Sequence, residues 1–348
     1  MHEPSLTFKT VLVTGGCGFI GSHFIRLLLR ERPQSRIINL DLLTYAGNLD
    51  NLKDYENFDK YRFVRGDIAN GSLIKRILEE EAIDAIVNFA AETHVDRSLL
   101  DSAPFVRTNI EGTRVLLEVA GNSIKIFLQV STDEVYGALT PTEPPFTEHS
   151  TLRPNSPYAA TKASADLLVR AYHKSYGVPA MITRCGNNYG PYQFPEKFLP
   201  LFITNALDDR PLPVYGDGQQ VRDWIYVEDH VRALLQVLES GKVGELYNIG
   251  ASGERTNLDM AETILKSLNK PQSLIAYVQD RPGHDRRYGI DATKIRNELG
   301  WSPTMSLDQG LNATVDWFRS HRQWWQRIKS GEYRKYYETQ YGERLQAD

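Results

Sequence analysis

The feature that most constrains the fold is the alternation of short apolar runs with amphipathic segments through the first half of the chain. The apolar runs, rich in Val, Ile and Leu, are residues 10–14, 36–41, 61–67, 85–90 and 124–131. Apolar residues three and four positions apart predict helices over 18–30, 72–81, 103–120 and 158–176. Strands that are apolar throughout belong to parallel sheets covered by helices on both faces. The sequence therefore predicts an α/β fold built on a doubly wound (Rossmann) parallel sheet.

The alternation breaks down beyond about Cys185, where proline and glycine separate shorter elements. This change predicts a smaller C-terminal α/β lobe that binds the substrate. We therefore divide the chain into residues 1–185, a nucleotide-binding domain, and residues 186–348, the substrate-binding lobe. Some later apolar runs, such as 224–227 and 245–249, are expected to return to the first sheet.

The composition limits the classes of partner. Of the 348 residues, 41% are hydrophobic, which suffices for a large core. The formal net charge is −4 with scattered Lys and Arg, so no electrostatic footprint for nucleic acid is present. No apolar run approaches the roughly 20 residues that span a bilayer. The two cysteines, Cys17 and Cys185, stand in no metal-ligand or disulfide pattern. We expect a cytoplasmic protein that binds a small molecule and has no metal, membrane or nucleic acid as partner.

A glycine-rich turn, TGGCGFIG at residues 14–21, follows the first predicted strand and opens the first predicted helix. In this context the pattern indicates a dinucleotide site. Gly15, Gly18 and Gly21 allow a tight turn and close approach of a pyrophosphate to free N–H groups at the helix start. Asp41 ends the second strand, where a carboxylate binds the adenosine ribose and repels a 2′-phosphate. These residues predict NAD rather than NADP as the cofactor.

Two pairs of reactive side chains follow the fifth predicted strand. Tyr158 and Lys162 are four residues apart and share one helix face, where the ammonium group favours the phenolate and makes Tyr158 a usable base. Asp133 and Glu134 follow Thr132 at the carboxyl end of a strand, where ligands bind in open α/β sheets. Oxidation of a hydroxyl needs only the first pair, whereas elimination of water needs both.

Motifs distributed along the chain carry a resemblance to a known family. They are TGGCGFIGSHF (14–24), LTYAGNL (43–49), AAETHVDRS (90–98), STDEVYG (131–137), YAATK (158–162), RCGNNYGPYQFPEKFLP (184–200), VRDWIYVEDH (221–230) and DRPGHDRRY (280–288). Over nearly its whole length the chain resembles the extended short-chain dehydrogenases/reductases that act on nucleotide sugars, and most closely their 4,6-dehydratases. The most diagnostic piece is Asp133-Glu134, because the related 4-epimerases lack this acid pair.

The resemblance implies dehydration of dTDP-glucose to dTDP-4-keto-6-deoxyglucose with bound NAD. Tyr158, assisted by Lys162, would take the C4 hydroxyl proton while hydride passes to NAD. Glu134 would then remove the C5 proton and Asp133 protonate the leaving C6 hydroxyl, after which hydride returns to C6. Thr132 is implied to hydrogen-bond the C4 oxygen.

The resemblance also implies the remaining contacts and the assembly. Cofactor contacts are implied for Gly15, Gly18, Phe19, Ile20, Gly21, Asp41, Leu42, Leu43, Thr44, Asp67, Ile68, Ala90, Ala91, Thr93, Thr108, Tyr158, Lys162 and Asn188. Substrate contacts are implied for Thr93, Thr132, Asn187, Lys197, Phe198, Pro213, Val214, Tyr215, Arg222, Asn257, Asp280, Arg281, Pro282, Gly283 and His284. A homodimer is expected through helices 103–120 and 158–176, which carry apolar residues beyond one narrow face.

Other functions remain open at this point. A 4-epimerase shares the glycine turn and Tyr158–Lys162 but needs no acid pair. A UDP-sugar 4,6-dehydratase acts on a nucleotide that differs from dTDP by a methyl group and a hydroxyl group. One contact of that size in a hydrophobic pocket is typically worth about 1–3 kcal/mol. A protein that senses NAD without catalysis keeps the fold but has no use for the reactive side chains. His94 fits either a structural or a catalytic role.

Overall fold

The computed structural model describes residues 7–330, 332–341 and 345. The strands are β1 (Thr10–Thr14), β2 (Arg36–Asp41), β3 (Tyr61–Arg65), β4 (Ala85–Asn88), β5 (Ile126–Thr132), β6 (Ala180–Cys185), β7 (Asn187–Tyr189), β8 (Leu212–Tyr215), β9 (Val221–Tyr226), β10 (Leu246–Ile249), β11 (Glu254–Thr256) and β12 (Ile275–Val278). Seven strands form one parallel sheet in the order β3-β2-β1-β4-β5-β6-β10. This order confirms the predicted doubly wound fold, and its reversal between β1 and β4 marks the usual ligand-binding edge.

Helices connect and cover the strands. They are α1 (Phe19–Glu31), α2 (Gly71–Glu81), α3 (Val95–Leu100), α4 (Ala103–Phe105), α5 (Thr113–Ala120), α6 (Pro157–Tyr176), α7 (Phe198–Leu207), α8 (Val227–Ser240), α9 (Asn257–Ser267), α10 (Thr293–Leu299), α11 (Leu307–Ser320), α12 (Arg322–Ile328) and α13 (Glu332–Tyr341). Short 3₁₀ helices span Leu49–Tyr55, Asp133–Tyr136 and Gln272–Leu274. In the part of the chain that the structure describes, no helix is long and apolar enough to cross a membrane.

Alternate residues of each central strand pack on opposite faces of the large sheet, as the period of two requires. In β1, Val11 and Val13 join a buried cluster with residues of α1 and α8, whereas Leu12 joins a second cluster with residues of α2, α5 and α6. Because both faces are covered, the strands are apolar throughout. This packing leaves the strand ends as the exposed edge where polar side chains gather.

The helix predicted over 103–120 is interrupted, which corrects the prediction. Residues Val106–Gly112 form a π-helical segment between α4 and α5. Its buried Asn109 accepts a hydrogen bond from the N–H of Glu92 at 2.9 Å and donates to the Thr161 hydroxyl at 2.9 Å. These tertiary bonds favour a local widening that hydrophobic periodicity does not reveal, and π segments often occur at functional sites.

The second half of the chain builds two small sheets and also completes the large one. Strands β11, β9 and β7 form one small sheet, and β12 pairs with β8. The prediction that residues 245–249 return to the first sheet is confirmed by β10, which pairs with β6. The same prediction for 224–227 is wrong, because Trp224 and its neighbours in β9 pair with β7 instead. The division at residue 185 stays a prediction.

Candidate active site

One continuous cavity runs along the carboxyl ends of β1, β2, β4 and β5. It is lined by all five predicted catalytic residues: Thr132, Asp133, Glu134, Tyr158 and Lys162. The predicted cofactor residues on its wall are Gly15, Gly18, Phe19, Ile20, Gly21, Asp41, Leu42, Thr44, Asp67, Ile68, Ala90, Ala91, Thr93, Thr108 and Asn188. Leu43 does not line it. The N–H of Leu43 instead donates to Asp41 at 2.8 Å, with a φ of 58°.

The glycine turn at the start of α1 leaves space only for backbone. A Cβ on Gly15 would lie 2.7 Å from the Ala90 nitrogen, and a Cβ on Gly21 would lie 2.4 Å from the Gly15 oxygen. Gly18 caps α1 without a side chain, so the first N–H groups of the helix stay available to an anion. Asp41 accepts the Cys17 N–H at 2.9 Å, and burial raises the pKa of its carboxyl group. This donor set and close-approach surface fit a dinucleotide.

Local signals in the sequence place Tyr158 and Lys162. The Ser156 hydroxyl caps α6 by accepting the Ala159 N–H at 3.1 Å, Pro157 occupies the first turn, and Gly177 caps the end of the helix. Tyr158 therefore lies in the first turn, with Lys162 one turn later on the same face. Both side chains are buried in the cavity wall.

The surroundings of Tyr158 do not favour its phenolate, in contrast to the effect expected from the Lys162 ammonium group. Burial, followed by the nearby charges of Glu134 and Cys185, raises the pKa of Tyr158 well above its ordinary value, while a hydrogen bond with Thr132 opposes this. Lys162 donates to the Val130 carbonyl at 2.8 Å, and burial lowers the pKa of its ammonium group. These surroundings favour the protonated phenol, so the use of Tyr158 as a base requires a nearby positive charge or neutralisation of Glu134.

Asp133 and Glu134 begin the 3₁₀ helix that follows β5, and they lie in different surroundings. Thr132 caps this turn by accepting the Glu134 N–H at 3.3 Å and donates to Asp133 at 3.3 Å. Burial, with the charges of Glu134 and Asp223, raises the pKa of Asp133 well above its ordinary range. Burial also raises the pKa of Glu134, but three cationic groups oppose it: Arg281, Arg222 and Lys197. Burial raises the pKa of both groups, but the nearest charges of Asp133 are mainly carboxylates whereas those of Glu134 are mainly cations. The local charges thus favour the protonated form of Asp133 and the ionised form of Glu134, a difference that suits an acid and base pair.

The residues predicted to bind substrate divide into two groups. Thr93, Thr132, Asn187 and Lys197 line the cavity. The others lie beyond its wall in the second half of the chain: Phe198 in α7, Pro213, Val214 and Tyr215 in β8, Arg222 in β9, Asn257 in α9, and Asp280, Arg281, Pro282, Gly283 and His284 in the loop after β12. Arg281 and Arg222 still act on the pKa of Glu134.

Hydrogen bonds and ring contacts hold the residues that lie beyond the cavity wall. Arg222 donates to the Asp285 carbonyl at 3.0 Å and lies 4.3 Å from the Tyr288 ring centroid. His284 contacts Asp280 at 2.6 Å, while burial lowers the pKa of this imidazole to about 4. The second group is therefore a network of charges that adjoins the acid pair.

Two further carboxyl groups line the cavity. The sequence reasoning missed Glu196, whereas Glu92 lies between Ala91 and Thr93, which were both expected at the cofactor. Glu196 lines the cavity, is 4% exposed and pairs with Arg97 at 2.9 Å. Glu92 also lines the cavity, and burial raises the pKa of its carboxyl group. Glu196 directly precedes Lys197 in the motif 184–200, and Glu92 lies in the motif 90–98. Both carboxyl groups therefore belong to motifs that carry the family resemblance. His94 is buried against the Tyr336 ring outside this cavity, which favours its structural role.

Known proteins share this arrangement. Residues 12–314 match the profile of the GDP-mannose 4,6 dehydratase family. A curated dTDP-glucose 4,6-dehydratase from Xanthomonas campestris pv. campestris is 50% identical over 344 residues, which cover 93% of this chain and 97% of that protein.

Solved structures are similar over the same extent. A dTDP-glucose 4,6-dehydratase from Streptomyces venezuelae, solved with NAD, has a TM-score of 0.89 and 49% identity, covering 92% of this chain and 100% of that one. A dTDP-glucose 4,6-dehydratase from Bacillus anthracis in complex with NAD has a TM-score of 0.87 and 48% identity, covering 92% and 99%.

Proposed function

The chain belongs to the dTDP-glucose 4,6-dehydratases, within the GDP-mannose 4,6 dehydratase family, and we propose that it converts dTDP-glucose to dTDP-4-keto-6-deoxyglucose. NAD is its cofactor, and the dTDP-glucose 4,6-dehydratases from Streptomyces venezuelae and Bacillus anthracis were solved with NAD. When bound, NAD supplies the oxidant for C4 and then the reductant for C6, so it is not consumed.

The observation that carries this proposal is the acid pair beside the tyrosine. Asp133 and Glu134 line the same cavity as Tyr158, and Thr132 links the two groups through hydrogen bonds. A 4-epimerase or a sensor of NAD has no step that uses two carboxyl groups at this place. An elimination of water uses both, because one proton leaves carbon while another must reach the departing oxygen.

The electrostatic surroundings suggest which carboxyl group performs which step. Burial and the charges of Glu134 and Asp223 favour the protonated form of Asp133, so we assign it as the acid that protonates the C6 hydroxyl. Glu134 faces Arg281, Arg222 and Lys197, which favour its ionised form, so we assign it as the base that removes the C5 proton. The ketone at C4 acidifies that proton before Glu134 acts.

The first proton transfer belongs to Tyr158. Burial raises the pKa of its phenol, and a positive charge close to the ring would lower that pKa and allow Tyr158 to accept the C4 hydroxyl proton. The ammonium group of Lys162 and the positive nicotinamide ring are the two candidates for that charge. Thr132 is proposed to hold the C4 oxygen against Tyr158.

The product mass tests the function. Purified protein is incubated separately with dTDP-glucose and with UDP-glucose, and the products are weighed by mass spectrometry. We expect a loss of about 18 mass units from dTDP-glucose, the mass of the water that the acid and base remove. Unchanged mass with formation of an epimer would indicate a 4-epimerase, and a faster loss of water from UDP-glucose would overturn the proposed nucleobase.

We also propose a homodimer. Large apolar side chains remain exposed on neighbouring helical segments: Leu100 is 65% exposed, Val106 48% and Leu167 55%. Burial of such a patch against its symmetry mate would form a helix bundle. Light scattering during size exclusion at micromolar concentration should give twice the chain mass, and L167E should reduce it. A control, V243E, changes a valine that is also exposed but lies on another segment.

A reducing compartment suits the thiols. Cys17 and Cys185 are both free and buried, and buried free cysteines are typical of proteins kept reduced. This supports the proposal that the protein works in the cytoplasm.

A further inference from the structure

The C-terminal helix α13 reaches the substrate side of the molecule. Gln340 is only 8% exposed although it lies near the end of the chain. Its amide nitrogen lies 2.8 Å from the Tyr215 hydroxyl oxygen and donates to Asp96 at 3.2 Å. The ring of Tyr341, also buried, stacks on that of Tyr215 with centroids 6.1 Å apart. The last residues of α13 thus pack against Tyr215, which is expected to contact the nucleotide.

Asp96, in α3, connects four separate segments. One carboxylate oxygen pairs with the Arg281 guanidinium at 2.9 Å. The other accepts from the Tyr215 hydroxyl at 3.0 Å and from Gln340. The Asp96 side chain is 5% exposed, and burial of a carboxylate to this extent requires such partners. Asp96 therefore links α3, β8, the loop after β12 and α13.

Arg97, the next residue of α3, also connects α13 with the wall of the substrate site. The Arg97 guanidinium lies between two tyrosine rings, 4.1 Å from the Tyr45 centroid and 4.1 Å from that of Tyr336 in α13. It also pairs with Glu196, which lines the cavity. Two consecutive residues of α3 thus bind both α13 and the walls of the substrate site.

Arg281 keeps N–H donors, among them its buried Nε, for a ligand. Its guanidinium is held by Asp96 through one terminal nitrogen, while its buried Nε has no hydrogen-bond partner within residues 7–330, 332–341 and 345. A buried guanidinium with an unused N–H suits an additional anionic oxygen. Its charge also reaches Glu134. The orientation of this one side chain therefore affects both the diphosphate and the base.

We propose that Asp96 and Gln340 are positioning residues that fix Arg281 and Tyr215 for the nucleoside diphosphate of the substrate. The inference rests on the proposed function and extends it to the C-terminal helix. Asp96 fixes the guanidinium through an ion pair with directed hydrogen bonds, and Gln340 satisfies the second carboxylate oxygen, which keeps the carboxylate in place. Neither residue touches the reacting carbons.

Binding of dTDP to the full-length protein tests this inference without catalysis. Q340M keeps the length and helix propensity of the side chain but removes its hydrogen bonds. We expect about 3-fold weaker dTDP binding by calorimetry, and about 3-fold higher KM for dTDP-glucose with kcat changed by less than about 2-fold. T339A is the matched control, because Thr339 is exposed on the same helix and its hydroxyl donates to the Lys335 carbonyl of that helix.

A second variant separates positioning from charge. D96N removes a negative charge, which by itself strengthens binding of an anion. We expect about 10-fold weaker dTDP binding instead, because Arg281 loses its ion-pair partner. Affinity for NAD, whose predicted contacts lie on the other half of the cavity, should stay the same in both variants. If D96N does not fold, Q340M alone decides the question.

The outcomes distinguish this inference from the proposed function. If Q340M binds dTDP as tightly as the parent, or if D96N binds it more tightly, Asp96 and Gln340 do not position the site. Equal losses of dTDP and NAD affinity would also overturn the inference, because they indicate general damage. Failure of the proposed function appears in the parent protein itself, as dTDP-glucose that loses no water.

Discussion

The cofactor half and the nucleotide half of the candidate site are built in different ways. The cofactor half consists mainly of backbone, where Gly15 and Gly21 leave room only for hydrogen at their Cα atoms. The nucleotide half consists of side-chain charges that contact one another, such as Arg281 with Asp96. Backbone sites are fixed by a short sequence, whereas a charge network depends on segments far apart in the chain. The two halves should therefore respond differently to substitution.

The largest effect is expected where the two halves meet. E134Q should reduce the rate of dehydration by at least about 100-fold, because general bases typically contribute 10²–10⁴-fold. Oxidation at C4 should remain, seen as absorbance of reduced cofactor after dTDP-glucose is added. The control E79Q changes an exposed glutamate of α2. Dehydration by E134Q at the parental rate would remove Glu134 from the mechanism.

Substitution in the cofactor half should damage NAD binding specifically. G21A places a methyl group 2.4 Å from the Gly15 oxygen, so the turn must open, and we expect at least about 10-fold weaker NAD binding. G71A is the matched control, because its Cβ meets only ordinary contacts beginning at 3.6 Å. Calorimetric titration with NAD measures both. Tight NAD binding by G21A would show that the turn does not form the pyrophosphate site.

Substitution in the nucleotide half should raise KM while NAD binding is preserved. Arg222 lies buried in β9, and R222K keeps its charge but loses the planar group that binds two oxygens at once. We expect the KM for dTDP-glucose to rise about 5-fold, equivalent to about 1 kcal/mol. R255K, an exposed arginine on the neighbouring strand β11, is the control. An unchanged KM would remove Arg222 from the diphosphate contacts.

The smallest effect concerns stability and its pH dependence. Burial and the charges of Glu134 and Asp223 raise the pKa of Asp133, so the folded protein holds this proton more tightly than the unfolded chain does. The resulting stabilisation is fully present below about pH 4, the ordinary range of an aspartate, and is lost as the pH rises toward the folded-state pKa. D133N cannot titrate, so its unfolding temperature should exceed that of the parent by a few degrees at pH 8.

The pH comparison provides its own control. The difference between D133N and the parent should shrink at pH 4, where both side chains are neutral. D59N, at an exposed aspartate, should change the unfolding temperature little at either pH. A parent that is more stable than D133N at pH 8 would mean that Asp133 is not a strained, protonated acid.

The contrast between the two halves also explains what the sequence could predict. The alternation of apolar runs with amphipathic segments, the turn that contains Gly21 and the pairs Tyr158–Lys162 and Asp133-Glu134 are local signals. The fold and these site residues were therefore predicted from them. Gln340 and Asp96 are 244 positions apart, and no local pattern links them. The π segment at Asn109 likewise depends on contacts with Glu92 and Thr161, which periodicity cannot show.

The central claim is that the acid pair removes water from a sugar held against the cofactor. Its most direct test is the reaction of purified protein with dTDP-glucose in D₂O, followed by mass spectrometry of the nucleotide sugar. The account predicts loss of water together with one deuterium at C5, because Glu134 exchanges the C5 proton with solvent before the carbon is reprotonated. A product of unchanged mass that carries no deuterium would contradict the claim.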